Sequence, residues 1–264
     1  MNRYGQASAL FLRVKGGQGR SAIDEVRFTA PFKITSPFYG EGNRLQVMLL
    51  SVSAGVMAGD DQQIHIDVGD GADGEILSQS YEKIHKMEPG ESARRETTLD
   101  VGAGATLSYA PLPTIPYAGS SFSCETNVRL KDGTSRFFYA DILACGRAAR
   151  GERFAYRRNR NAMKAYLAGR LIYADNAVFE PAHMDMGGYC LYEGYSHLLS
   201  LFAAGFAPGG DAMQRIHELI QRMPETKAGV SLTGSGALCV RALADGSEPL
   251  LALAGDVKRI LGEG

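Results

Sequence analysis

A mainly β protein, built as a layered or helical stack of strands in the manner of a β-solenoid, with a few helices toward the C-terminus, is the fold this sequence predicts. Three observations predict it. The 264 residues include 32 glycines, well above the usual share of about 7%, so turns are frequent. Gln63-Ile64-His65-Ile66-Asp67-Val68 alternates strictly between polar and apolar side chains, as a half-buried strand does. A phrase then recurs. Val68-Gly69-Asp70-Gly71-Ala72, Val101-Gly102-Ala103-Gly104-Ala105 and Leu130-Lys131-Asp132-Gly133-Thr134 each close one strand, turn and open another, with Leu167-Ala168-Gly169-Arg170 as a candidate fourth. Strand–turn–strand units repeated at intervals of about 30 residues point to stacked layers or a solenoid. Their uneven spacing leaves an ordinary β-sandwich open.

The β-rich part runs from about residue 9 to 190. No clear helix alternates with its strands, which argues against a doubly wound α/β sheet. From about 191 to 261 the pattern becomes that of a helical cover with a hairpin. Gly194–Ala204 reads as a helix. So does Asp211–Met223, with Asp211 as N-cap and Met213, Ile216, Ile220 and Met223 along one face. Gly229–Leu232 and Ala237–Leu243 read as a hairpin across Thr233-Gly234-Ser235-Gly236. Ser247 is placed to cap a last helix with the stripe Leu250, Leu253, Val257, Ile260 and Leu261, and Gly262 falls just past its end. No Pro/Ser-rich linker divides the chain, so residues 1–264 read as one domain.

Lys and Arg (28) nearly balance Asp and Glu (29), leaving no global field to hold nucleic acid or an anionic membrane. The apolar run Ala9–Leu12 is too short for a signal peptide, and Gly194–Gly210 too short and interrupted to span a bilayer, so a cytoplasmic protein is expected. Cys124, Cys145, Cys190 and Cys239 have no zinc-ligand spacing and are expected to be reduced and buried. The phosphate-loop, HExxH and GxSxG patterns are missing, and the five histidines show no ligand pairing. His65 and His217 read as surface or satisfied residues.

Four segments carry chemistry. In Ser53-Ala54-Gly55-Val56-Met57-Ala58-Gly59-Asp60-Asp61, two glycines free the backbone ahead of paired carboxylates. These could offer oxygen ligands to a cation, or Asp60 could close a turn through its own backbone. Ser78-Gln79-Ser80-Tyr81-Glu82-Lys83-Ile84-His85 mixes amide, hydroxyl, both charges and imidazole, as either a polar channel lining or a solvated edge strand. Tyr109 to Tyr117 holds Pro111, Pro113 and Pro116, which cannot donate to a central ladder, so an exposed extended strip or sheet edge is expected. Asp141 to Phe154 contains Gly146, Arg147 and Glu152, and opens a basic stretch from Arg147 to Lys164. That stretch reads as a dock for an acidic partner or phosphate, or as a solvated sheet face.

Taken in order, these segments resemble the urease accessory proteins of the UreD/UreH family, closest to the UreH form. The residues that carry the likeness are Gly55-Val56-Met57-Ala58-Gly59-Asp60, Gln79 with Lys83, Pro111 and Pro113 with Ile115-Pro116, and Gly146-Arg147 with Glu152 and Phe154. Gly229-Val230-Ser231 and Val240-Arg241-Ala242-Leu243 extend it, so that it runs from about Pro31 to Leu261. One departure is Ala54-Gly55, where many relatives have a glycine pair. The resemblance implies a β-rich helical stack of strands and a scaffold rather than an enzyme. It implies binding to UreF and, through it, to the GTPase UreG, with docking on apo-urease so that nickel reaches the active site. A homodimer within a larger complex, internal polar tunnels as the nickel route, and no tightly bound cofactor are further implications. Asp60, Asp61, Asp141 and Glu152 are then candidates along the nickel path, since hard oxygen ligands hold Ni²⁺ less tightly than imidazole or thiolate and a conduit must release its ion. The cover at 191–261 is expected to contribute to the UreF interface through its apolar stripes.

Two other classes stay open on the residues. One is a metal-dependent hydrolase on a β-sandwich with Asp60, Asp61 and His85 as ligands. The other is a β-sheet module that binds an extended ligand along Pro111–Pro116.

Overall fold

The computed structural model describes residues 7–17, 19–40 and 44–262. Alternating strands need two partners: neighbours for their backbone groups and a second layer for their apolar face. The first layer is a seven-stranded sheet. It holds β1 (Ser8–Lys15), β2 (Ala22–Phe28), β6 (Asp61–Val68), β9 (Ala93–Val101), β12 (Ser121–Leu130), β14 (Arg158–Leu167) and β15 (Arg170–Phe179). Their spatial order is β15-β14-β12-β9-β6-β1-β2.

The second layer holds β3 (Phe32–Ile34), β4 (Phe38–Tyr39), β5 (Leu45–Ser51), β7 (Asp73–Ser78), β8 (Glu82–Ile84), β10 (Thr106–Tyr109), β11 (Thr114–Pro116), β13 (Arg136–Ala144), β16 (His197–Ala204), β17 (Thr226–Leu232) and β18 (Leu238–Ala244). Its main path is β17-β18-β16-β13-β10-β7-β5-β3. Two helices, α1 (Gly210–Gln221) and α2 (Ser247–Gly262), complete the chain.

From β5 to β14 the chain shuttles between the layers, and each return adds a parallel strand: β6, β9, β12 and β14 stack on one another in the first sheet. Val68 is in register with Val101, Val101 with Leu130, and Leu130 with Leu167. The recurring phrases therefore lie directly above one another, and the architecture is a solenoid-like stack. The fourth phrase joins the row but ends the pattern. Ala168 and Gly169, at φ 49° and 79°, close a hairpin that returns β15 antiparallel in the same sheet. At the other end β2 also pairs antiparallel, and each of these outer pairings carries an irregularity, between Arg13 and Val14 and between Ala165 and Tyr166.

Registered stacking turns side chains into rows. Ile66, Leu99, Val128 and Ala165, each fully buried, form one inward row that meets Leu45, Val47, Leu107 and Phe137 of the second sheet. On the far face of that sheet, α2 buries Leu250, Leu253, Val257 and Leu261 against Phe138, Leu201 and Val240. The helix's apolar stripe is thus used inside the chain and does not by itself offer a partner a surface.

Several sequence expectations are corrected. Gly194–Ala204 is not a helix: His197–Ala204 is strand β16, paired antiparallel with β13 and β18. Phe202 and Ala204 face the inter-sheet core while Leu199, Leu201 and Ala203 face the helices. A strand buried on both faces reads as a continuous apolar run, which periodicity cannot separate from a helix. The N-cap of α1 is Gly209, with Asp211 in the first turn, and Gly262 is the last residue of α2 rather than the one after it. The proline strip is not exposed: β11 pairs with both β8 and β13, and Pro113 and Pro116 are buried. Of the four free cysteines, Cys145 is buried but Cys190 is exposed.

Leu99 sits fully buried in the middle of its row. Leu99→Ala is expected to cost about 2–5 kcal/mol in urea denaturation, because neighbours pinned in register cannot close the gap. A midpoint equal to that of the parent would contradict this packing.

Candidate functional site: a polar chamber at one end of the stack

The inward rows change character along the strands. Beyond Ile66–Leu99–Val128–Ala165 comes Ile64–Thr97–Thr126–Met163, and then Gln62–Arg95–Cys124–Asn161. Polar side chains cannot close onto the opposite layer as aliphatic ones do. A cavity of about 100 Å³ remains there, with Gln79, Glu82, Arg95, Cys124, Asp141 and Asn161 in its lining beside apolar side chains such as Leu49, Ile64 and Phe122. Tyr109 and Tyr139 form part of the wall on the second sheet.

Its charges are internally matched. Arg95 donates to Glu82 Oε2 at 2.5 Å and, through Nε, to Gln62 Oε1 at 2.9 Å. Burial is the largest influence and opposes the guanidinium charge, but the acidic groups around it, Glu82 first, together hold Arg95 above its ordinary pKa. Asp141 accepts from Asn161 Nδ2 at 2.6 Å. Burial raises its pKa to about 6 against that hydrogen bond and the more distant Arg241. Cys124 is pushed up to about 11 by burial, so the thiol keeps its proton.

The four segments singled out from the sequence form consecutive rungs at this same end. In the first, Gly55 has φ 144°, and a Cβ there would lie 2.3 Å from Lys83 O. That close approach lets Val56 N bond Lys83 O and His85 N bond Val56 O, at 2.8 and 2.9 Å, joining the first segment to the second. The second pairs in parallel with the third, Glu82 opposite Thr114 and Ile84 opposite Pro116. The third meets the fourth at Thr114 and Leu143. Gly146, at φ 134°, brings its backbone against Glu152 O, where a Cβ would be only 2.8 Å away. Arg147 then pairs with both oxygens of Glu152 and stacks 4.3 Å over the Tyr117 ring, while Glu152 Oε1 also accepts Ala118 N at 2.9 Å.

The predicted site residues divide accordingly. Asp141 and Gln79 line the chamber together with Pro111. Asp60 closes its own turn, Oδ2 accepting Met57 N at 2.9 Å, while Gly59 N bonds Ser92 O. Asp61 pairs with Arg94 at 2.6 Å and is held below its ordinary pKa chiefly by that bond. Glu152 is likewise lowered, first by Arg147. Lys83 is exposed. Among the described residues, no three His, Cys, Asp or Glu side chains group to hold a metal. His85 Nε2 lies 3.0 Å from Ala54 O, away from the ligand role considered for it with Asp60 and Asp61.

The basic stretch is largely paired within the chain. Arg158 meets Glu180, Arg160 and Lys164 share Glu125, and Arg153 and Arg157 donate to backbone carbonyls. Glu82 lay in the second segment and Cys124 was noted only as a thiol; the residues that sequence reasoning did not single out are Gln62, Arg95 and Asn161. Their signal was polarity at positions that alternation turns inward. Arg95 shares the inward phase of Thr97, Leu99 and Val101.

Stacked layers that enclose a chamber of hydrogen-bonded polar groups define a layered β protein with an internal polar compartment. The chain belongs to the UreD urease accessory protein family, whose model matches residues 6–263. It is 37% identical over 261 residues to the urease accessory protein UreH of Helicobacter pylori strain G27, covering 98% of this chain and 97% of that protein. It is 35% identical to the urease accessory protein UreD of Acetivibrio thermocellus, covering 98% and 99%. With UreD of Actinobacillus pleuropneumoniae serotype 7 the identity is 31%, over 90% of each chain. Membership places the protein in urease maturation, and no helix among its described residues is long and apolar enough to cross a membrane.

The raised pKa of Asp141 sets a pH test. Folded protein holds this proton more tightly than the unfolded chain, whose aspartate titrates near 3.8, so the stability it lends is present below that pH and lost as pH rises to about 6. Asp141→Asn removes the loss. Its stability relative to the parent should rise by roughly 2–3 kcal/mol between about pH 4 and pH 7 in urea titrations. A pH-independent difference would contradict a buried, proton-holding carboxyl.

Proposed function

We propose that this chain is a non-enzymatic scaffold in nickel delivery to urease. It binds a UreF-type protein and through it a UreG-type GTPase, and the assembly docks on apo-urease in the cytoplasm, with two copies of the chain in the larger complex. Nickel is cargo and no cofactor is held tightly.

The observation that supports this reading is the chamber. Its acids are carboxylates, Glu82 and Asp141, flanked by the amides of Gln62 and Asn161. Carboxylate and amide oxygens bind a divalent cation reversibly, and the one thiol in the wall, Cys124, keeps its proton and is a poor ligand in that form. On this reading Asp141 is the interior acid of the path, with Asp60, Asp61 and Glu152 as its outlying acids.

The test is urease activation in cells that lack this protein, complemented with variants. Without the protein, urease is expected to stay inactive. Asp141→Ala should still co-purify with its partners yet lower activation several-fold, and Asp60→Ala should do so to a smaller extent. Full activation without the protein would sink the scaffold role. Unchanged activation by Asp141→Ala would sink the chamber route while leaving the scaffold intact.

A further inference from the structure

β7 leaves its sheet at Ser78 and pairing resumes at Glu82. The bend between them, Gln79–Tyr81, forms the outer wall of the chamber: Gln79 and Ser80 line it and are also exposed to solvent. Backbone bonds fix both ends of the bend, Gln79 N to Leu49 O at 3.2 Å and Glu82 N to Pro113 O at 3.0 Å. Side chains hold what lies between. Glu82 reaches inward to Arg95. Tyr81 turns the other way, and its hydroxyl meets Ser247 Oγ at 2.9 Å and Glu248 Oε1 at 3.2 Å.

Ser247 and Glu248 are the first two residues of α2. Farther along the helix, Lys258 pairs with Glu75 on β7, which also accepts Gln46 Nε2 at 2.8 Å. Through these side chains the helix grips β7 at one point and its following bend at another.

We infer that the contact of Tyr81 with Ser247 and Glu248 is a latch on the mouth of the chamber, so that the seating of α2 controls access of small solutes to its interior. Glu82 and the pairings of β8 stay in place when the latch opens, because they rest on Arg95, Pro113 and β11. A partner that levers the first turn of α2 opens the chamber without unfolding the core. The inference concerns access and holds whatever the chamber carries.

Cys124 in the chamber wall reports on the latch, and Cys145, fully buried elsewhere, reports on global opening. Purified protein is treated with iodoacetamide and the alkylation of each cysteine is followed by peptide mass spectrometry, with exposed Cys190 as the reference. Tyr81→Phe removes both hydroxyl contacts and should speed Cys124 alkylation at least about fivefold, with Cys145 unchanged. Ser247→Ala should act in the same direction, and the double variant should fall short of the product of the two effects, because both break one contact. An unchanged Cys124 rate, a parallel rise at Cys145, or independent effects of the two substitutions would each overturn the latch.

Discussion

Parallel strands stacked in register are the constraint on which the rest of this molecule depends. Once Val68, Val101, Leu130 and Leu167 share a row, every other position along those strands shares one too. A row has one environment, which favours members of like polarity. Ile66, Leu99, Val128 and Ala165 are all apolar, and the layers close there. Three of the four side chains in the row Gln62, Arg95, Cys124 and Asn161 are polar, and the layers stay apart. The chamber is thus a consequence of row chemistry rather than a pocket added to a finished core.

Enclosing a guanidinium and two carboxyls between sheets is costly unless each has a partner. Arg95 answers Glu82 and Gln62, Asp141 answers Asn161, and below about pH 6 proton retention lowers the remaining cost at Asp141. Such groups add little to stability compared with an apolar filling. Their presence at one end of a stack that is hydrocarbon elsewhere sets that end apart chemically. The same end collects the four segments that carry the family likeness, each fastened to the next by backbone pairing, with glycine permitting the close approach between the first and second.

Much of this was legible in the sequence. Strict alternation at Gln63–Val68 announced its strand, and the recurring Gly-containing corners announced the stack. The segments around Gly55, Gln79, Pro111 and Gly146 were recognisable before their adjacency was. Other features were hidden for physical reasons. β16 is buried on both faces, so His197–Ala204 carries no alternation to distinguish it from a helix. The prolines at 113 and 116 suggested an edge because they lack a donor, yet β11 sits between two strands in a short ladder that uses few donors. Arg95 and Asn161 were legible only as polar residues in an inward phase, and that phase requires the register to be known. Asp60 and Glu152 drew attention as acids, but one closes a turn and the other anchors an arginine.

The reversed outer strands bear on how the chain behaves among copies of itself. A parallel stack with open ends is a template: any further strand of the same direction could add to it, and a solenoid could lengthen into a fibre. Here β2 and β15 run against the stack, and each outer pairing is interrupted, at Arg13/Val14 and at Ala165/Tyr166. Such irregularities twist an edge away from flat pairing. The first sheet therefore ends in strands that mismatch its own repeat, and end-to-end polymerisation is opposed by the path of the backbone itself.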